Sequence, residues 1–215
     1  MPWLWVVVRT LILARHAHAA SNVTDLVSGS PPGKGLSPLG VAEARALQSA
    51  LADVSIDLGA CTELLRTQET LEVALEGREL STLVLPELNE IGFGGFEGGP
   101  LATYRAWAWE SEPDLACPGG GESRAAAAVR FSRGLDTLLA RPEETVLAIS
   151  HALPVRYVLD ASTGRAPAAR VERVEHAVPH TLAREAVETA VSTLREWAER
   201  PRFADTPFGG SAASG

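Results

Sequence analysis

The chain has 215 residues, 46% of them hydrophobic and 21% charged, with a formal net charge of -8. That length and composition suit one globular domain with a substantial core. The acidic balance speaks against non-specific nucleic-acid binding and against a basic membrane-binding face, while leaving room for a locally positive pocket that takes a small anion.

In chain order, the apolar stretch Trp3 to Val8 comes first. It is too short to cross a bilayer and has no basic lead, so residues 1–9 read as an N-terminal extension, with Val8 as an alternative start, and the expected location is cytoplasmic. Thr10 to Ala14 is a short buried strand that ends in Arg15-His16. After a loop with Pro31-Pro32-Gly33, Ser37 and Pro38 start a helix as N-cap and first residue. Val41, Ala44, Leu47, Ala50 and Leu51 continue it at helical spacing. Leu58 to Thr62 reads as a strand, Arg66 to Leu75 as a helix stopped by Gly77, and Thr82 to Leu85 as a strand stopped by Pro86. Residues 91–121 are glycine-rich and irregular, with Tyr104, Trp107 and Trp109, and read as a loop. The two tryptophans are expected to pack on the core. Ser123 caps a helix to about Ala140.

A second buried strand, Thr145 to Ile149, ends in Ser150-His151 and leads into a helix over Leu153 to Leu159. Val171 to Ala177 is strand-like, and Leu182, Ala186, Ala190, Leu194 and Trp197 mark a last amphipathic helix. The alternation of strands and helices indicates a single α/β domain over residues 10–200, followed by a flexible tail over 201–215.

In an open α/β sheet, ligands bind beyond the carboxyl ends of the strands. Two strands therefore deliver His16, with Arg15 beside it, and His151 toward one spot. Arg66, a few residues past the Leu58 to Thr62 strand, adds a second guanidinium that can hold two phosphate oxygens. Glu90 follows another strand-like segment, where a carboxyl group can pass a proton to a leaving alkoxide. Glu97 and Glu122 compete for that role. An imidazole nucleophile among cationic donors suits phosphoryl chemistry.

These residues sit in segments that resemble the histidine phosphatase superfamily, which includes the cofactor-dependent phosphoglycerate mutases. Leu13 to Asn22, containing Arg15-His16-Ala17, resembles its first signature. Leu36 to Gly40, Cys61 to Thr70, Leu88 to Gly98, Gly121-Glu122-Ser123 and Ser150-His151-Ala152 follow in the family's order. The resemblance implies a three-layer sandwich with a mostly parallel central sheet flanked by helices. It also implies His16 as the nucleophile, Arg15, Arg66 and His151 as phosphoryl ligands, Asn22 as a further contact, and Glu90 as the acid. The expected function is a metal-independent phosphomonoester phosphatase with no cofactor, acting on a small phosphorylated substrate. A phosphoglycerate-type mutase and a non-catalytic phosphate- or phosphopeptide-binding domain are the alternatives, and a homodimer is compatible.

The chain departs from the family pattern at four places. Ala17 and Ala152 stand where glycine is usual, His18 where an acid is frequent, and Ala19 where a hydroxyl is. His18 is either a substrate or phosphate ligand or an exposed loop residue. The His16-x-His18 pair is not read as a metal site, because alternate residues of a strand end point opposite ways. His176 and His180 lie outside the matched segments and are expected to be structural or exposed. Cys61 and Cys117 lack CxxC spacing and read as free thiols.

Overall fold

In the computed structural model, residues 8–204 are described; the expected start of the N-terminal extension and most of the expected tail lie outside them. The two apolar runs singled out above become β1 (Thr10–Arg15) and β4 (Thr145–Ser150), which pair in parallel from Thr10↔Thr145 to Arg15↔Ser150. With β2 (Leu58–Cys61), β3 (Ser81–Val84) and β5 (Pro179–Ala183) they form one sheet in the order β3-β2-β4-β1-β5. Only β5 runs antiparallel, along the β1 edge.

The alternation of side chains along the central strands builds the two cores. Ile12 and Ala14 of β1, with Leu147 and Ile149 of β4, face a layer containing Ala44, Leu47 and Leu71. These come from α2 (Pro38–Ala50) and α3 (Leu65–Ala74), which follow the single-turn α1 (Ala20–Val23). Leu11, Leu13, Val146 and Ala148 face the other way, onto Phe131, Leu135, Tyr157 and Leu194. Those belong to α5 (Arg124–Leu139), α6 (Ala152–Ala161) and α7 (Arg184–Glu199). Strands buried on both faces explain why the sequence reads as near-continuous apolar runs. The fold is therefore the expected three-layer α/β sandwich around a mostly parallel sheet.

Three readings need correction. Residues 91–121 are not all loop: α4 (Leu101–Glu110) carries the aromatic stretch. Trp107 packs on the core as expected, but Trp109 is 41% exposed. Second, Val171 to Ala177 is not a strand; it makes one bridge, Arg15↔His176, and turns at Ala177, whose φ is +53°. Part of its hydrogen bonding goes to Arg15 instead of to a strand ladder. The Val174 carbonyl accepts from the Arg15 guanidinium, and the Ala177 amide donates to the Arg15 carbonyl. Third, Leu182 belongs to β5, so the last helix starts at Arg184. Residues 201–204, assigned to the tail from sequence, lie against the domain: the Ala204 amide donates to the Pro167 carbonyl and the Trp197 indole to Arg202.

The start of α2 forms one wall of the site. Ser37 is its N-cap, accepting from the Gly40 amide, and its own amide donates to the His18 carbonyl. A methyl group on Gly40 would lie 2.0 Å from that carbonyl oxygen. Gly40→Ala is expected to destabilise the fold by about 1–3 kcal/mol through overpacking. At roughly 2–4 °C per kcal/mol for a domain of this size, a thermal melt resolves the loss. An unchanged Tm would mean that helix and loop separate freely.

Candidate active site

Parallel neighbours end on the same edge of a sheet, so β1, β4 and β2 release their following residues side by side. The His16 amide donates to the Ser150 carbonyl at 2.8 Å, which ties the β1 and β4 exits together. His16 and His151 stand with ring centroids 5.3 Å apart. Arg66, in the first turn of α3, lies between them: its Nε donates to His16 Nε2 at 3.1 Å and its Nη2 to His151 Nδ1 at 3.2 Å. The Ser28 carbonyl accepts a further bond from Nη2 at 2.8 Å and fixes the guanidinium plane. The four residues Arg15, His16, Arg66 and Glu90 all line one cavity of about 990 Å³.

The hydrogen bonds determine both tautomers. The Ala17 carbonyl can only accept, so His16 Nδ1 carries the proton in its 2.8 Å bond, and Nε2 keeps a lone pair. On His151, Nδ1 accepts from Arg66, so Nε2 carries the proton and donates to Thr62 Oγ1 at 2.9 Å. Thr62 is held by Thr67, whose hydroxyl donates to the Leu64 carbonyl.

Burial and the guanidiniums hold both imidazoles well below the usual histidine pKa, desolvation being the larger cause and Arg66 the next. The arginines feel the same environment. Burial lowers Arg15 and Arg66 to about 10, which leaves both charged at neutral pH. Glu90 is raised by burial, against the opposing pull of the Ile91 amide, Arg66 and Arg15. A carboxyl that favours its proton beside arginines that keep theirs is the arrangement a proton donor to a leaving group requires.

Residues 11–199 match the histidine phosphatase superfamily, branch 1. The chain belongs to that superfamily. It is 33% identical to an adenosylcobalamin/alpha-ribazole phosphatase of Escherichia coli strain K12, over 66% of this chain and 72% of that protein. It is 31% identical to a 2,3-bisphosphoglycerate-dependent phosphoglycerate mutase of Brucella ovis, over 74% of this chain and 84% of the mutase. The solved alpha-ribazole phosphatase of Shigella flexneri superposes with a TM-score of 0.70 at 29% identity, covering 80% of this chain and 89% of that one.

Within this member of the superfamily the departures from the family pattern have visible consequences. Ala17 is fully buried among the α2–α3 core residues and does not line the cavity, so its methyl takes no space from a ligand. Ala152 does line it, at the first residue of α6. His18 also lines it, with Nδ1 sharing a 2.8 Å hydrogen bond with Ser37 Oγ. Asn22 lies on the cavity wall, but its Oδ1 already accepts from the Ala19 amide at 2.9 Å, closing a short helical turn. Among the described residues no group of three or more His, Cys, Asp or Glu is placed to hold a metal ion.

The competing carboxylates have other work. Glu97 accepts from the Gly29 and Ser30 amides, and Glu122 pairs with Arg130 and accepts from Gly92. Cys61 and Cys117 are free and buried.

His176 was missed. It lines the cavity, its ring lies 5.5 Å from those of both His16 and His18, and its Nδ1 donates to the His16 carbonyl at 2.8 Å. No motif flags it, because its place beside His16 arises from the irregular return of residues 171–177. Arg105 and Arg124 also line the cavity unannounced. Both fall in stretches read for their glycines, aromatics or capping.

Proposed function

We propose that this chain is a metal-independent phosphomonoester phosphatase that works through a phosphohistidine on His16. The observation that carries the proposal is the His16 tautomer: the Nδ1 proton is committed to the Ala17 carbonyl, so Nε2 offers its lone pair toward Arg66 and the cavity. An arriving phosphoryl group takes the donors of Arg15 and Arg66 and frees that lone pair for in-line attack on phosphorus, while His151, its proton committed to Thr62, holds the Arg66 guanidinium through Nδ1. The ester P–O bond breaks as the N–P bond forms, and the leaving oxygen receives the Glu90 proton. Water then attacks the phosphohistidine, Glu90 takes a proton back, and phosphate leaves with His16 restored. The guanidiniums supply the charge stabilisation that a metal ion supplies in other phosphoryl-transfer sites.

The test is hydrolysis of p-nitrophenyl phosphate in EDTA, with quenched turnover assayed for phosphate on the protein that is labile to acid and stable to base. Turnover of wild type with no such adduct would overturn the phosphohistidine step. The likeness to phosphoglycerate mutases keeps one second reading, phosphoryl transfer between phosphoglycerates. A substrate panel containing 3-phosphoglycerate and alpha-ribazole phosphate separates the two, since a mutase returns an isomer and a phosphatase returns free phosphate.

A further inference from the structure

The cavity extends well beyond the phosphoryl pocket, and one charge in it is unaccounted for. Arg124, at the first residue of α5, lines the cavity although its residue exposure is only 7%. Its Nη1 donates to the Tyr157 hydroxyl at 3.1 Å, and its buried Nε finds no acceptor. The Tyr104 hydroxyl lies beside the same guanidinium, and the Phe203 ring stacks 5.9 Å from its centre. Burial pushes the Tyr104 phenol up to about 12 and raises that of Tyr157, so both are neutral. Among the described residues no carboxylate pairs with Arg124.

Buried guanidiniums are ordinarily matched by an anion, because desolvating an unpaired charge is costly. The carboxylates of the cavity rim do not serve. Glu172 and Glu175 pair with Arg156 and Arg173, Glu43 accepts from the His18 amide, and Asp25 and Glu90, which also line the cavity, form no ion pair with Arg124. Arg105, on α4, lines the cavity too and is close enough to Arg15 to weaken its hold on a proton. The position of Arg124 also matters. Arg124, Tyr104 and Glu90 line the same cavity, so Arg124 shares the space into which the proton donor releases an alcohol.

The geometry points to a second anion subsite at Arg124, with Tyr104 and Arg105, that takes an anionic oxygen group on the alcohol portion of the substrate. The chain thereby selects phosphate monoesters whose alcohol carries a carboxylate or a second phosphate. This rests on the phosphatase reading above. The anion would face the cation from the cavity and supply the missing counter-charge, with the Tyr104 hydroxyl placed to donate to it.

The test compares three aryl esters of matched shape: carbamoylphenyl phosphate, carboxyphenyl phosphate and phenylene bisphosphate. Wild type is expected to favour at least one of the two anionic esters over the carboxamide by about tenfold or more in kcat/KM. The arm that carries the preference tells carboxylate from phosphate. Arg124→Met and Arg124→Gln are expected to bring the ratio close to one, while Arg124→Lys retains much of it; melting curves report whether each variant folds. Equal rates on all three esters in wild type would overturn the subsite and leave the phosphatase intact. A preference that survives in a folded Arg124→Met would also overturn it, by placing the anion elsewhere. Failure of wild type to hydrolyse any ester would remove both readings.

Discussion

His16→Ala is expected to lower kcat on p-nitrophenyl phosphate by about 10^4-fold or more, the scale on which removal of a nucleophile acts in enzymes with covalent intermediates. The fold should survive. His16 is only 4% exposed, but its backbone amide, which joins β1 to β4, is untouched. The loss is the acceptor for Arg66 Nε, a buried donor whose desolvation costs about 1–3 kcal/mol when it is left unpaired. That penalty shrinks if phosphate or water enters the vacated space. The variant therefore separates chemistry from stability: a Tm within a few degrees of wild type, with turnover abolished and no acid-labile phosphate trapped. Activity within tenfold of wild type would remove His16 as the nucleophile, whatever the melt shows. His151→Ala makes a useful contrast. It takes away the acceptor that positions the Arg66 guanidinium and leaves the nucleophile, so its expected loss is smaller, about 10^2- to 10^3-fold.

The parts of the molecule that the sequence made legible are those where local pattern and tertiary role coincide. β1 and β4 are buried on both faces, so their apolar runs needed no partner to be recognised, and their carboxyl ends point to the same edge by the rules of parallel sheets. Ser37-Pro38 starts a helix by side-chain chemistry alone. Arg66 could be placed because its helix follows β2 directly. What stayed hidden depends on where the chain returns from far away. His176 reaches the His16 carbonyl through a segment that lacks regular structure, so no periodicity predicts its position. α4 was obscured by the glycines before it and the prolines after it, although Pro100 sits at its N-cap. Arg124 follows Ser123, and the capping serine explained the local sequence without asking where the next side chain points. The two missed arginines share a property: each acts through a cavity formed by several elements, and a cavity has no signature along the chain.

Glu90→Gln carries the second large effect, and its size should depend on the leaving group. With an alkyl phosphate, whose alkoxide leaves poorly, loss of the proton donor is expected to lower kcat by about 10^2- to 10^4-fold. With p-nitrophenyl phosphate, whose leaving anion is stable, formation of the phosphohistidine should be nearly unaffected, and the remaining loss falls on the hydrolytic step. The pH profile follows from the shifts. Burial raises the Glu90 pKa, so its acid form is present below that raised value and is lost as pH climbs through it; wild-type turnover of alkyl phosphates should fall along that limb. His16 and His151 are held well below 6.5, so no fall in activity is expected as pH drops through the ordinary histidine range. Stability takes the same signs. The raised Glu90 contributes stability that is complete below the unfolded carboxyl pKa and lost as pH rises through the folded one. The depressed histidines contribute stability that is complete above 6.5 and lost as pH falls through their folded values. Glu90→Gln should therefore remove the alkaline limb from both the rate profile and the melting curve, and leave the acid limb of the melt in place. A variant that keeps the wild-type alkaline limb on an alkyl phosphate would assign the proton donor to another group.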